Sequence, residues 1–148
     1  MRYAISALSL ASGFVVSCSV HDGSFDEVAR VPNPSHQVDA VLVESNGGAT
    51  TSFGYHVHLV PSGSLVTRLD SEVASFYAAI RSESAYGVDL KWDANNQLVC
   101  EYLSAKQANI VKGAVVVNGG QITVALRSNI TNNVAAPGGM LYNLKKGS

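Results

Sequence analysis

The stretch that decides the fold class is residues 37–60, which read QVDAVLVESNGGATTSFGYHVHLV. Apolar and polar residues alternate over 53–60, which is typical of a strand because successive side chains point to opposite faces of a sheet. Asn46-Gly47-Gly48 is a strong turn signal, since these residues accept a positive φ at low cost. The stretch therefore predicts an antiparallel hairpin whose strands are residues 37–45 and 53–60.

Two later stretches repeat this hairpin pattern. Residues 88–92 and 98–102 alternate on either side of a turn at 93–96, and residues 113–117 and 121–127 flank Asn118-Gly119-Gly120. Sequential hairpins favour an antiparallel sheet, here of about six strands. Trp92 is predicted to point into the core of this sheet, where we expect it to be largely buried.

Between the first two hairpins, the spacing predicts a helix. Asp70 or Ser71 offers an N-cap and Gly87 a stop. Apolar side chains fall at i, i+3, i+4 and i+7, namely Val73, Phe76, Tyr77 and Ile80. The predicted fold class is therefore α+β, with an antiparallel sheet of about six strands in sequential hairpins and one helix packed on a face. Phe76 is expected to be buried in that core.

The amino-terminal residues carry a separate signal. A basic start, Met1-Arg2-Tyr3, is followed by an apolar run over 4–16 and by Ser17-Cys18. This order is typical of a secretory signal peptide, and the run is too short to span a hydrocarbon core of about 30 Å. An ordinary secretory leader in which Cys18 has no role, or the first element of a soluble protein, are the alternatives.

The end of this leader, Val15-Val16-Ser17-Cys18, resembles the lipobox of bacterial lipoproteins. The resemblance implies cleavage before Cys18, a diacylglyceryl group on its sulfur and an acyl chain, such as palmitate, on its amino group. Ser19 in the next position implies export to the outer membrane, facing the periplasm, if the source has one. Two or more acyl chains hold a protein stably on a membrane.

The expected organisation follows from these signals. Residues 1–17 are predicted as a signal peptide, 18–36 as an extended tether, 37–127 as a globular α+β domain and 128–148 as an Asn- and Gly-rich tail. Pro32 and Pro34 mark the tether, because proline breaks regular structure. The segment 41–53, preceded by this proline-containing turn, is similar to a recurring segment of small exported bacterial proteins, a resemblance that implies no activity.

The charge composition limits the classes of partner that this protein is expected to bind. The 148 residues carry 10 Lys and Arg against 11 Asp and Glu, a formal net charge of −1, and only 14% are charged. No basic cluster exceeds Lys145-Lys146, so the electrostatic footprint of a nucleic-acid-binding protein is missing. The expected partners are the membrane, through the lipid anchor, and another envelope protein.

The two cysteines have different predicted roles. Cys18 is the candidate for lipidation, and Cys100 lies in an alternating apolar run, where it is expected to be a buried small hydrophobe. A Cys18–Cys100 disulfide is the alternative if Cys18 is not acylated in an oxidising compartment.

His56 and His58 are weak candidates for metal binding. Two apart on a strand, they point the same way, but zinc needs three or four ligands and no third is indicated. The opposite face of the strand is apolar, so we expect the two imidazoles to be exposed or covered only by a loop. No metal or other cofactor is expected. No Gly-x-Ser-x-Gly elbow indicates a catalytic serine, so no catalytic residue is predicted.

The function expected from the sequence is that of a membrane-anchored envelope lipoprotein with a non-enzymatic binding or protective role. The alternative is a periplasmic metal-binding protein that uses His56 and His58. A third hypothesis, an enzyme whose site is assembled from residues far apart in the chain, also remains open at the level of sequence.

Overall fold

The computed structural model describes residues 24–67 and 71–132. The predicted signal peptide, Cys18 and residues 133–148 of the predicted tail lie outside the described residues. Within the described ranges every regular element is a β-strand, and no helix there is long and apolar enough to cross a bilayer.

Eleven strands follow one another in the part of the chain that the structure describes. They are β1 (Ser24–Pro32), β2 (Val38–Asn46), β3 (Gly54–Pro61), β4 (Glu72–Tyr77), β5 (Arg81–Ser82), β6 (Ala85–Tyr86), β7 (Asp89–Trp92), β8 (Gln97–Glu101), β9 (Gln107–Ile110), β10 (Ala114–Val117) and β11 (Gly120–Arg127). Five of them form one antiparallel sheet in the order β1-β2-β3-β4-β9. A second sheet has the order β10-β11-β8-β7, with β8 and β11 parallel. The pair β5–β6 forms a small ribbon.

The two large sheets share one hydrophobic core. Leu42 and Val57 from the first sheet and Leu98 and Ile122 from the second are fully buried in the same cluster. Each sheet therefore buries one face against the other, which is the arrangement of a β-sandwich.

The three predicted hairpins are confirmed by the strand pairing. β2 pairs with β3, β7 with β8, and β10 with β11. Phe76 is 3% exposed and Cys100 is fully buried, as predicted. Burial raises the pKa of the Cys100 thiol to about 12, so this thiol is not a ready nucleophile. Trp92 is only partly buried, and its indole N–H donates to the carbonyl oxygen of Val31 at 2.9 Å.

The predicted α+β class and its helix between residues 70 and 87 are wrong. Residues 72–77 form β4, which is paired with β3 on one side and with β9 on the other. A bulge at Val73 lets Val73, Ala74 and Phe76 all reach the core, and this imitates helical spacing. Tyr77 and Ile80, the other half of the supposed stripe, are 38% and 43% exposed. The local sequence pattern is compatible with a helix or a strand, and pairing with β3 and β9 selects the strand.

The predicted boundaries of the globular domain also require correction. Residues 24–32, expected in the tether 18–36, form β1 and pair along the length of β2. Pro32 is compatible with this because it ends a strand at the edge of the sheet. At the other end, the backbone N–H of Asn129, beyond the expected limit at 127, donates to the carbonyl of Leu103 at 3.0 Å. The sandwich thus extends past both predicted limits.

Candidate functional site

The outer face of the five-stranded sheet, meaning the face turned away from the second sheet, carries both candidate histidines. Tyr55 and Val57 of β3 are fully buried in the core, so His56 and His58 point outward, as the alternation predicted. The side chain of His56 is 32% exposed. His58 is only 4% exposed, and the segment 65–67 lies beside it.

A hydrogen-bonded chain joins His56 to side chains on the two adjacent strands. Its Nε2 lies 3.3 Å from Oγ of Ser45 on β2, and its Nδ1 lies 3.1 Å from Oε1 of Glu72 on β4. A carboxylate only accepts, so the Nδ1–H donates to Glu72, and in the neutral ring Nε2 then accepts the hydroxyl hydrogen of Ser45. The result is a relay of serine hydroxyl, imidazole and carboxylate, here named the Ser45–His56–Glu72 relay.

Gly54 makes room for this relay. It pairs with Ser45 across the β2–β3 ladder, and a Cβ added to it would overlap the Ser45 hydroxyl. The same Cβ would lie 3.6 Å from Nε2 of His56. A glycine at this position therefore opens the outer face directly beside the serine–histidine contact.

A cavity of about 330 Å³ lies over Ser45, Gly54 and His56. Its other walls include Tyr77, Gln107 and Asn109, together with the loop that follows β2. The hydroxyl of Tyr77 accepts a hydrogen bond from the backbone N–H of Ser52 at 3.3 Å, and this bond lowers the pKa of Tyr77. The lining thus offers hydroxyl, imidazole and carboxamide groups to a small polar ligand.

His58 does not belong to the relay. Its Nδ1 lies 3.0 Å from Oγ of Ser71, and burial lowers the pKa of the imidazole, which favours the neutral ring near pH 7. Residues 24–67 and 71–132 contain no group of three or more His, Cys, Asp or Glu side chains that could hold a metal ion. Both ring nitrogens of His56 already have protein partners, so a metal at this face must displace Ser45 or Glu72. Metal binding by His56 and His58 therefore stays an untested alternative.

A second feature is an apolar cavity of about 550 Å³ beside β10, here named the β10 cleft. Leu65 and Val116 flank it and are 77% and 71% exposed. Its deeper walls come from the core side chains Leu59, Val60 and Val73. An apolar cavity of this size, bordered by exposed apolar side chains, is typical of a binding site.

A third cluster, on the second sheet, consists of paired charges. Nζ of Lys91 lies 2.5 Å from Oε2 of Glu101 and 3.8 Å from Oδ2 of Asp89, and Nη1 of Arg127 lies 3.5 Å from Oε1 of Glu101. Burial raises the pKa of Asp89. Two cations balance two carboxylates, so this cluster is explained by its internal ion pairs.

Ser45 and Glu72 were not recognised from the sequence. They lie 27 positions apart in the chain (72 minus 45), and no local motif joins them. In the predicted helix that begins after Asp70 or Ser71, Glu72 falls in the first turn, and this hid its place beside β3. Pairing Ser45 with Gly54 in the predicted hairpin is the signal that could have placed the serine next to His56.

Comparisons with known proteins do not assign this site. No protein-family model matches the chain, and no curated protein or solved structure matches it significantly. The interpretation of the site therefore depends on the chemistry and geometry of its own residues.

Proposed function

We propose that this protein is a bacterial envelope lipoprotein that binds an extended, apolar segment of another envelope protein at strand β10. The observation that carries the binding role is a sheet edge that no described residue pairs with, lying directly beside the β10 cleft. The lipobox-like sequence Val15-Val16-Ser17-Cys18 supports the membrane anchor.

Strand β10 has the properties of a strand that accepts a partner. Within residues 24–67 and 71–132 it stands at the edge of its sheet and pairs only with β11, so its other side faces away from the ladder. Sheet edges are usually protected by charges, prolines or bulges, whereas β10 reads Ala114-Val115-Val116-Val117. An extended segment of another protein can add to such an edge through main-chain hydrogen bonds.

The β10 cleft determines which segment fits. In strand addition, alternate side chains of the incoming strand point to one face, where pockets select them. The cleft walls contributed by Leu59, Val60 and Val73 are apolar, and Lys112 is the one charged side chain among the described residues that line the cavity. The favoured partner is thus a segment with apolar residues at alternate positions, presented by a protein on the same side of the membrane as the anchor.

Replacing Cys18 by alanine is expected to abolish membrane attachment. Without the thiol no diacylglyceryl group can be added, and an unacylated chain has no comparable hold on lipid. After cell fractionation the variant should be found in the soluble fraction or as an unprocessed precursor. Intact mass spectrometry should show acyl chains on the wild type alone. A wild-type protein of unmodified mass, or a variant that fractionates with membranes like the wild type, would contradict the anchor.

Replacing Val116 by arginine is expected to reduce capture of the partner by about tenfold or more, because the charge must be desolvated at the new strand–strand contact. The side chain is 71% exposed, so folding should be unaffected. The measurement is cross-linking in native membranes followed by quantitative mass spectrometry of proteins attached through residues 114–117.

The matched control for this experiment is Ile80→Arg. Ile80 is also apolar and exposed, at 43%, but it does not line the β10 cleft. The control should capture the partner like the wild type. Equal capture by Val116→Arg and wild type, or cross-links to lipid in place of protein, would reject strand addition at β10.

A further inference from the structure

We propose that Ser45, His56 and Glu72 form a serine acyl-transfer site that hydrolyses small carboxylic esters. The proposal goes beyond the binding role at β10, because it concerns another face of the molecule and different residues. If it holds, the non-enzymatic role expected from the sequence is incomplete.

The first argument is the order of the groups. A nucleophilic serine needs a base to take its proton, and the base needs a third group that holds its tautomer and orientation. Here Nε2 of His56 is 3.3 Å from the Ser45 hydroxyl, and Nδ1 is 3.1 Å from the Glu72 carboxylate. This is the arrangement in which the unprotonated nitrogen faces the serine.

The second argument is rigidity. Strands β2, β3 and β4, which carry the three side chains, are each paired with a strand on both sides. Catalytic groups are held more precisely on such interior strands than on loops, and small displacements reduce the rate strongly. The glutamate side chain is 16% exposed, so its contact with His56 is partly shielded from water.

The third argument is access. The absence of a side chain at Gly54 exposes the contact between Ser45 and His56 to the cavity of about 330 Å³. The carboxamides of Gln107 and Asn109 line the same cavity, and side-chain amides can stabilise a developing oxyanion. Backbone N–H groups lie in the plane of the sheet and not on its face, so oxyanion stabilisation must come from side chains. That weaker stabilisation favours esters, which react more readily than amides.

The reaction is balanced without a redox partner. Ser45 Oγ bonds to the ester carbonyl carbon while its proton passes to Nε2 of His56 and the carbonyl electron pair moves onto oxygen. When the adduct collapses, the carbon–oxygen bond to the alcohol breaks and the alcohol leaves with that proton. A solvent water then attacks the acyl-serine, giving one proton to His56, and Oγ departs and recovers it. The products are one carboxylic acid and one alcohol, and Glu72 takes part only by holding the imidazole in place.

The experiment uses purified full-length protein in detergent with two probes, a fluorophosphonate reagent and p-nitrophenyl acetate. We expect one phosphonyl group per chain, mapped to the peptide that contains Ser45, and an initial burst of p-nitrophenol. Ser45→Ala should abolish both, and His56→Ala should reduce the rate of labelling by about 100-fold or more. Ser24→Ala, which changes an exposed serine at the start of β1 outside the cavity, is the matched control and should behave as the wild type.

Glu72 is a positioning residue in this scheme, since it acts through His56. Glu72→Gln should lower kcat for the acetate ester while KM and the melting temperature stay close to wild type. Labelling of the wild type at another residue, no labelling, or equal labelling of Ser45→Ala would overturn the proposal. Val116→Arg should leave labelling unchanged, so failure of one proposal does not affect the other.

Discussion

Replacing Phe76 by alanine is expected to lower the free energy of unfolding by about 3–5 kcal/mol, the usual cost of removing a buried phenyl ring. Phe76 is 3% exposed in the core. Its ring meets Tyr102 in an edge-to-face contact, with centroids 5.1 Å apart and ring planes at 63°. The paired strands on both sides of β4 leave little freedom to close the resulting cavity. Urea denaturation at pH 7 measures the change.

Phe25→Ala is the matched control for Phe76→Ala. It removes the same side chain from β1, where Phe25 is 73% exposed and contacts the ring of His56 at a centroid distance of 6.3 Å. We expect a loss below about 1 kcal/mol, as for most surface substitutions. Equal losses in the two variants would mean that Phe76 is not a core residue.

The hairpins could be predicted from the sequence because their partners are close in the chain. In each hairpin a short turn separates two alternating runs, so one local window contains both strands and the signal that joins them. The pairs β4–β9 and β8–β11 have no such signal. In these pairs Phe76 lies opposite Ala108, 32 positions later in the chain, and Val99 lies opposite Ala125, 26 positions later. Only the assembled core selects these pairs, and this explains why a sandwich was interpreted as a single sheet with a helix.

The candidate site was predictable to the same limited extent. The direction of His56 and His58 follows from a period of two along one strand, which depends on no other element. The position of Glu72 depends on β4 being a strand and on the bulge beside Val73. The incorrect prediction of a helix therefore hid two things: that β4 is the second neighbour of β3, and that Glu72 supplies the carboxylate of the relay.

Gly87 is a second position at which a substitution is expected to destabilise the fold, because it lies against the buried Tyr55. Nη1 of Arg81 lies 3.2 Å from Oε2 of Glu44, and the Arg81 guanidinium stands 4.1 Å from the centre of the Phe53 ring. Tyr55 is fully buried in the core, and burial raises the pKa of its hydroxyl. The tyrosine ring therefore has no alternative position in which to relieve a new contact.

Replacing Gly87 by alanine is expected to lower the free energy of unfolding by about 2–6 kcal/mol, because two costs of about 1–3 kcal/mol each add. The first is backbone strain, since Gly87 has a φ of +96°. The second is overpacking, since the new Cβ would lie 2.7 Å from both Cζ and the hydroxyl oxygen of the buried Tyr55. Thermal and urea denaturation measure the total.

Gly119→Ala separates the two costs of Gly87→Ala. Gly119 also has a positive φ, +77°, but a Cβ there has no atom within 4 Å. This variant should therefore lose only the strain contribution, about 1–3 kcal/mol, because the alanine must adopt the left-handed region. The difference between the two variants then measures the overlap with Tyr55. Equal losses at positions 87 and 119 would show that the ring of Tyr55 can move and that the core at this end of the sandwich is less tightly packed than its burial indicates.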